Sequence, residues 1–375
     1  MAAGAVASAR VDREQVLAFR VARQGLAERG AVTLAGAAAC PASDFVRGSA
    51  LLALAARSDA VTRDGYDEAV DAGTLVLAPS LRGAIHAVAP GDVALYGRGL
   101  LAGDDDELAE QLGTGAQRHL SEVGVPAAEA LEEVAGATTA ALARGRTLTK
   151  DELHEELRAR VRKELLPWCK GCGSHHVAPM LWRYGGVQAG MRLDSDRRYR
   201  LGKKGRVPAR APAEAVRRFL RVYGPATAND AAAWAGLARA HARRVLAELE
   251  DELVEVRPAG GRAWLLHEDE AALASPPQAH GLRLLPPRDP YVQHPDRASV
   301  VDDAALRKKL FRPVANPGAV LQDGRIAGLW RARAKGKRTE IEVEELGRID
   351  RAALEAEAER VAELRGADGV AVRWS

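Results

Sequence analysis

The densest grouping of chemically capable side chains lies at residues 168–177, WCKGCGSHHV, where Cys169 and Cys172 are separated by two residues and His175 and His176 follow. Thiolates and imidazoles of this kind hold Zn²⁺ in tetrahedral sites, and a C-x-x-C loop lets two sulfurs grip one ion. Two adjacent histidines on a helix point in divergent directions, so one of them, His175, is the candidate third ligand and the fourth must come from elsewhere. The competing reading is a compact loop packed beneath a helix, its histidines turned to a partner or a cap. A redox dithiol fits less well, because no βαβ pattern surrounds the cysteines. On balance no metal or other cofactor is expected.

A second grouping is electrostatic. RARAKGKRTEIEV places Arg331, Arg333, Lys335, Lys337 and Arg338 about a hairpin tip. Strand alternation puts several of them on one face, where they can clamp phosphates with little regard to sequence. A charged strand edge that resists aggregation is the alternative. Arg183 in APMLWRYGG, and Arg239, His241, Arg243 and Arg244 in ARAHARRVLAELE, stand on predicted helices. Outward-facing arginines there can reach phosphates or base edges; a merely solvated helix face is the alternative.

These residues need elements to hold them, and the chain announces those elements three times. Thr62 opens TRDGYDEAV before the β-rich segments TLVLAPS and AIHAVAP. Thr149 opens TKDELHEELRARV, followed by a helical HHVAPMLWRY and then VQAGMRLDSDRRYRL. Thr227 opens TANDAAAWAGL, followed by ARAHARRVLAELEDE and LVEVRPAGGRAWLL. Threonine at an N-cap accepts a bond from an unpaired helix N–H, and an acidic residue in the first turn suits the macrodipole. Glu152 and Asp230 supply that acid; Gly65 does not. Capped helix, second helix and two-stranded wing is the order of a winged helix. Ahead of the first copy, Asp12 opens an amphipathic helix, VLAFRVARQGLAER. KKGRVPARAPAE is a basic linker, and beyond SPPQAHG short strands with Gly turns suggest a small barrel.

Composition narrows the classes. A chain of 375 residues has room for several cores. Net charge is only +3 with 54 basic residues, so nucleic-acid binding must reside in clusters. No apolar run is long enough to span a bilayer, and MAAGAVASAR lacks the basic start and apolar run of a secretion signal. Cytoplasmic residence is expected. Three cysteines make no disulfide framework.

Several phrases together resemble the winged-helix DNA-binding family that contains the AlkZ-like and YcaQ-like DNA glycosylases. They are LAFRVARQGL, LRGAIHAV, RVYGPATANDAAAWAGL, LLPPRDPYV, AVLQDGRIAGLWR and ALEAEAERVAELRG. The resemblance runs essentially the full length. It implies three tandem winged helices, a helical region and a β-barrel around a DNA-sized concavity, with release of alkylated or crosslinked bases as the activity. It also implies a Gln-x-Gln or Gln-x-Asp motif just before GSALLALAAR, and here the chain departs. In CPASDFVRGSALLALAAR the first position falls on Ser43 and the second on Phe45, with no glutamine nearby. Hydrolysis at C1′ needs a group that positions and partly deprotonates water. Ser43 is a poor base and Phe45 is none. Asp44, one residue off, is the candidate catalytic carboxylate, with Ser43 beside it. Arg82 and His86 of LRGAIHAV are candidates to line the same concavity, a satisfied core histidine being the alternative for His86.

The expected architecture is therefore α+β. It comprises a first winged helix with its N-terminal helix at 10–100, a second at 101–205, a third at 211–270, and a β-barrel-like scaffold with the basic hairpin at 280–375. The expected function is monomeric binding of double-stranded DNA, alkylated or crosslinked, with the usual catalytic motif not apparent. The alternatives are a glycosylase working through a variant motif and a winged-helix transcription regulator. Dimerisation and half-site protection would mark the regulator.

Overall fold

All three threonines cap helices in the computed structural model, which describes residues 9–312 and 314–375. Residues 1–8, most of the stretch read for a secretion signal, lie outside it. Thr149 and Thr227 close reciprocal capping boxes. Oγ1 of Thr149 accepts from the Glu152 N–H at 3.3 Å while Glu152 accepts from the Thr149 N–H at 2.7 Å. Asp230 accepts from the Thr227 N–H at 2.8 Å in the same way. Thr62 has only the forward bond, from the Gly65 N–H at 3.1 Å, because glycine has no side chain to answer. The capped helices are Arg63–Ala72, Lys150–Arg160 and Ala228–Ala235.

Beyond their caps the three units diverge. The second continues to helix Pro179–Ala189 and strands Met191–Leu193 and Tyr199–Leu201. The third continues to helix Arg239–Ala247 and strands Leu253–Arg257 and Ala263–Leu266. In the first, Gly73 ends the helix in the left-handed region at φ 76°, a conformation glycine takes without steric cost. The chain then runs straight into Val76–Pro79 and Ile85–Val88 without a second helix.

The first two hairpins join into one sheet. Leu77 pairs with Leu193, and the five strands lie in the order 42–43, 85–88, 76–79, 191–193, 199–201, all antiparallel. Ala42–Ser43, which carries the variant motif, is one edge.

The C-terminal strands do not close into a barrel. Leu282–Leu285, Gly318–Gln322, Arg325–Lys335 and Arg338–Glu345 form an antiparallel meander, and Gly369–Trp374 adds in parallel beside the last of them. That parallel pairing requires a crossover, supplied by helix Arg351–Leu364. Its Leu354, Ala358 and Val361 are buried in the same apolar cluster as Trp330, Ile341 and Val343. The helix therefore covers the apolar face that closure would have buried, and the sheet stays open. Among the described residues no helix is long and apolar enough to cross a membrane.

Three of the phrases that carry the family resemblance, LAFRVARQGL, RVYGPATANDAAAWAGL and LLPPRDPYV, meet in one buried polar node. Arg20 donates to the carbonyls of Tyr223 at 3.0 Å and Pro225 at 2.8 Å. Nε2 of His294 donates to the same Tyr223 carbonyl at 2.9 Å. Arg57 grips both oxygens of Asp289, at 2.8 and 2.9 Å, and donates to the Ala53 carbonyl at 2.7 Å. Asp289 also accepts from the Tyr291 N–H at 2.9 Å, a local turn bond. The node ties the first helix Arg13–Arg23, the helix Ser49–Ala55 and the third unit together. Through the Ala53 carbonyl it reaches the helix that directly follows residues 43–48.

Candidate functional site

Segment 43–48 links the edge strand to helix Ser49–Ala55. Ser43 stands opposite His86 in the antiparallel register, so their side chains are cross-strand neighbours. Ser43 is buried, and its Oγ accepts from the Phe45 N–H at 3.4 Å. Asp44 is buried as well. One carboxylate oxygen accepts from the Ala50 N–H at 3.0 Å, capping a helix whose N-cap residue, Gly48, has no side chain to do so. The other oxygen pairs with Arg197, which sits at the tip of the second hairpin with φ 68°. The second unit thus locks the motif carried by the first.

His86 is fully enclosed, its Nδ1 lying 2.9 Å from both the Ser80 hydroxyl and the Ala84 carbonyl. Burial, reinforced by the charge of Arg82, pushes its pKa down to about 3. The ring is neutral in the fold and takes a proton in the unfolded chain below its ordinary 6.5, so acid favours unfolding. Between those two values this one group should make stability fall by about 1.4 kcal/mol per pH unit of acidification. His86→Asn should reduce the slope of unfolding free energy against pH, measured between pH ~4 and ~6, by that amount. An unchanged slope would mean that the ring is already charged in the fold.

Phe45 is 50% exposed. The Arg183 guanidinium lies 5.6 Å from its ring centre and that of Arg288 4.4 Å. Val46 and Arg47, which come next, are exposed too. Three cavities border this segment and a fourth lies beyond them. One of about 260 Å³ contains Asp44, Phe45, Lys150, Arg183 and Arg197 in its wall. One of about 230 Å³ shares Asp44 and Arg197 with it and adds Arg47, Arg63 and Arg365. A third, about 360 Å³, runs from Arg47 to Arg331 and Arg333, and a fourth, about 620 Å³, holds Arg82, Arg288, Arg297 and Arg312. Of the residues lining these four cavities only Asp44 and Asp67 are acidic. A chain of nearly balanced charge thus lines these cavities with eleven arginines.

The remaining sequence candidates are dispersed. Arg82, in the left-handed region at φ 54°, donates to the Ala233 and Trp234 carbonyls at 3.1 and 2.7 Å and to Gln293 at 3.0 Å. It braces the capped helix of the third unit from the cleft wall. Arg244 pairs with Glu107 at 2.7 Å, and His241 lies 3.5 Å from the same carboxylate, while Arg239 and Arg243 are exposed. In the hairpin Arg331 stands opposite Glu342 and Arg333 opposite Glu340. Arg333 lies 3.8 Å from Glu342 and Lys335 3.6 Å from Glu340, so acids on the partner strand temper the basic row. Lys337 and Arg338 are exposed at the tip, where Arg338 donates to the Val370 carbonyl at 2.8 Å.

Cys169 and Cys172 are brought together, but the ring beside them is His176, not His175. This segment is a ribbon rather than a helix, with Trp168 paired to His175 and Cys169 to Ser174. Strand alternation turns His175 to the Trp168 side, away from Cys169. The Cys172 N–H holds the Cys169 thiol below its ordinary pKa.

Sequence reasoning missed Arg197, Arg288, Arg47 and Lys150. Arg47 had a signal, standing two residues beyond Phe45. Lys150 adjoins the Thr149 cap, but nothing local aimed it at the motif. Arg197 and Arg288 reach it across long stretches of chain and had none.

Fold and cleft together define a mixed α/β protein with arginines walling a groove around an atypical motif. The chain belongs to the AlkZ-like DNA glycosylase family, whose model matches residues 39–364. It is 28% identical over 386 residues to the interstrand DNA cross-link repair glycosylase of Streptomyces sahachiroi, covering 96% of this chain and 98% of that one. Its fold is similar to the solved structure of Streptomyces sahachiroi DNA glycosylase AlkZ, with a TM-score of 0.75 and 23% identity over 98% of this chain and 100% of that one.

Proposed function

We propose that this protein binds, as a monomer, double-stranded DNA bearing alkylated or crosslinked purines, with the damaged site held in the cleft around Phe45. One observation carries the reading. Phe45 presents a half-exposed aromatic ring within 5.6 Å of two guanidiniums, in the wall of a cavity that also holds Lys150, Arg183 and Arg197. An aromatic face accepts an extruded base by stacking, and the surrounding cations take the phosphates. The helix–helix–hairpin units within 101–205 and 211–270 serve as winged helices. The hairpin of 10–100 joins the second wing, and 280–375 is the scaffold whose basic tip meets the backbone.

A second reading, base excision, is the one that membership of a glycosylase family supports better than binding alone, and it draws also on the place of Asp44. Its carboxylate lines the cavities on both sides of the motif. Movement of Arg197 would free one oxygen to orient a water at C1′. Alkylated purines are cationic leaving groups and need little acid assistance.

The test uses a duplex containing N7-methylguanine. Binding alone predicts at least about tenfold tighter retention of the alkylated than of the undamaged duplex, ~1.4 kcal/mol, with free base no higher than in a protein-free control. Release above that control, abolished by Asp44→Ala, establishes excision. Equal retention of both duplexes with no release overturns both readings. Strong preference for one operator sequence would instead indicate a regulator.

A further inference from the structure

The geometry points to a Zn²⁺ site at Cys169, Cys172 and His176, formed where the ribbon at 168–175 meets the N-terminal end of helix Pro179–Ala189. It stands apart from the DNA-binding proposal and would hold if that proposal failed.

The two sulfurs and one ring nitrogen lie within 4.8 Å of one another, close enough for one ion to reach all three at the ~2.0–2.3 Å bonds of zinc with small side-chain adjustments. The histidine is prepared for the role. Its Nδ1 donates to the Val177 carbonyl at 2.8 Å, which fixes the proton there and leaves a lone pair on Nε2, the arrangement typical of metal-bound imidazoles. That Nε2 is buried and has no hydrogen-bond partner, and a buried polar atom left unpaired carries a cost that an ion would remove. Its neighbours share the condition. Nε2 of His154 and Nε1 of Trp182 are also buried without partners, and the His154 ring stands 5.7 Å from that of His176 and 4.7 Å from that of Trp182. His154 is outside the three-ligand cluster, so the fourth vertex goes to solvent on the open side where Cys172 is exposed. Binding replaces the thiol protons: two protons leave, two S–Zn bonds and one N–Zn bond form, and no electron is transferred.

The consequence is mechanical. His176 lies three residues before Pro179, where the helix bearing Trp182 and Arg183 begins. An ion there staples the ribbon to that helix and fixes the entry of the element that carries Arg183 toward Phe45.

The test uses the full-length protein, reduced and stripped of metal, titrated with Co²⁺ as a spectroscopic substitute and then with Zn²⁺. The expected result is one Co²⁺ per chain, a thiolate-to-cobalt charge-transfer band in the near ultraviolet, and displacement of that band by one equivalent of Zn²⁺. Cys169→Ser and Cys172→Ser should abolish the band, and His176→Ala should weaken binding by about 10–100-fold. His175→Ala should leave it unchanged, and His154→Ala should leave the stoichiometry intact. Far-ultraviolet circular dichroism of each variant establishes that it is folded. Absence of the band in the wild type, or equal loss in His175→Ala and His176→Ala, overturns the site. So does ready formation of a Cys169–Cys172 disulfide in air in the presence of one equivalent of Zn²⁺.

Discussion

Asp289→Ala is expected to cost about 3–5 kcal/mol of folding stability. Arg57 and Asp289 are almost wholly buried, 5% and 1% exposed. Removing the carboxylate leaves a guanidinium charge in the interior with only the Ala53 carbonyl and, at 3.3 Å, the Gln24 amide oxygen to meet it. The Tyr291 N–H loses its acceptor at the same time. In urea unfolding the loss should appear as a lower midpoint with an unchanged slope. The penalty belongs to the stranded charge rather than to the pair. Combining Arg57→Met with Asp289→Leu should therefore recover more than half of it, because apolar replacement of a buried pair is often neutral. A loss below about 1 kcal/mol for the single variant would mean that water reaches the pair.

The node also shows which parts of the fold could be read in the sequence. Caps are local, so Thr149 with Glu152 and Thr227 with Asp230 were readable from spacing alone, and the missing acid at Gly65 correctly marked the weaker first cap. The strands of the hairpins were readable from alternation. Pairing across units was not: nothing near Leu77 or Leu193 says that these residues meet and fuse two hairpins into one sheet. Closure of the C-terminal strands was equally hidden, since a barrel and an open sheet covered by helix Arg351–Leu364 share one strand pattern. Docking of that helix decides between them.

The candidate site divides along the same line. The placement of Ser43, Asp44 and Phe45 at the motif rests on the chain alone; what each side chain faces could not be read from it. Asp44 is drawn inward by two demands the local sequence does not state together, an uncapped helix after Gly48 and the Arg197 cation from the second hairpin. Its neighbour Phe45 is left in the cleft. The choice between His175 and His176 failed for a related reason, because the expected period was helical and the observed one is that of a two-stranded ribbon.

Phe45→Ala therefore separates function from folding more cleanly than any change at Asp44. The ring is half exposed and lies against two guanidiniums, so its loss should change stability by less than about 1 kcal/mol. Base stacking on an aromatic face is worth about 1–3 kcal/mol. Affinity for the N7-methylguanine duplex, measured by fluorescence anisotropy, is then expected to fall roughly 5–150-fold. Affinity for undamaged duplex, held by phosphates alone, should move by less than about twofold, and Phe45→Tyr should retain the preference. Equal weakening on both duplexes would reduce Phe45 to part of a general backbone surface. No change on either would place the damaged base elsewhere, and the arginines gathered around residue 45 would then need another ligand to explain them.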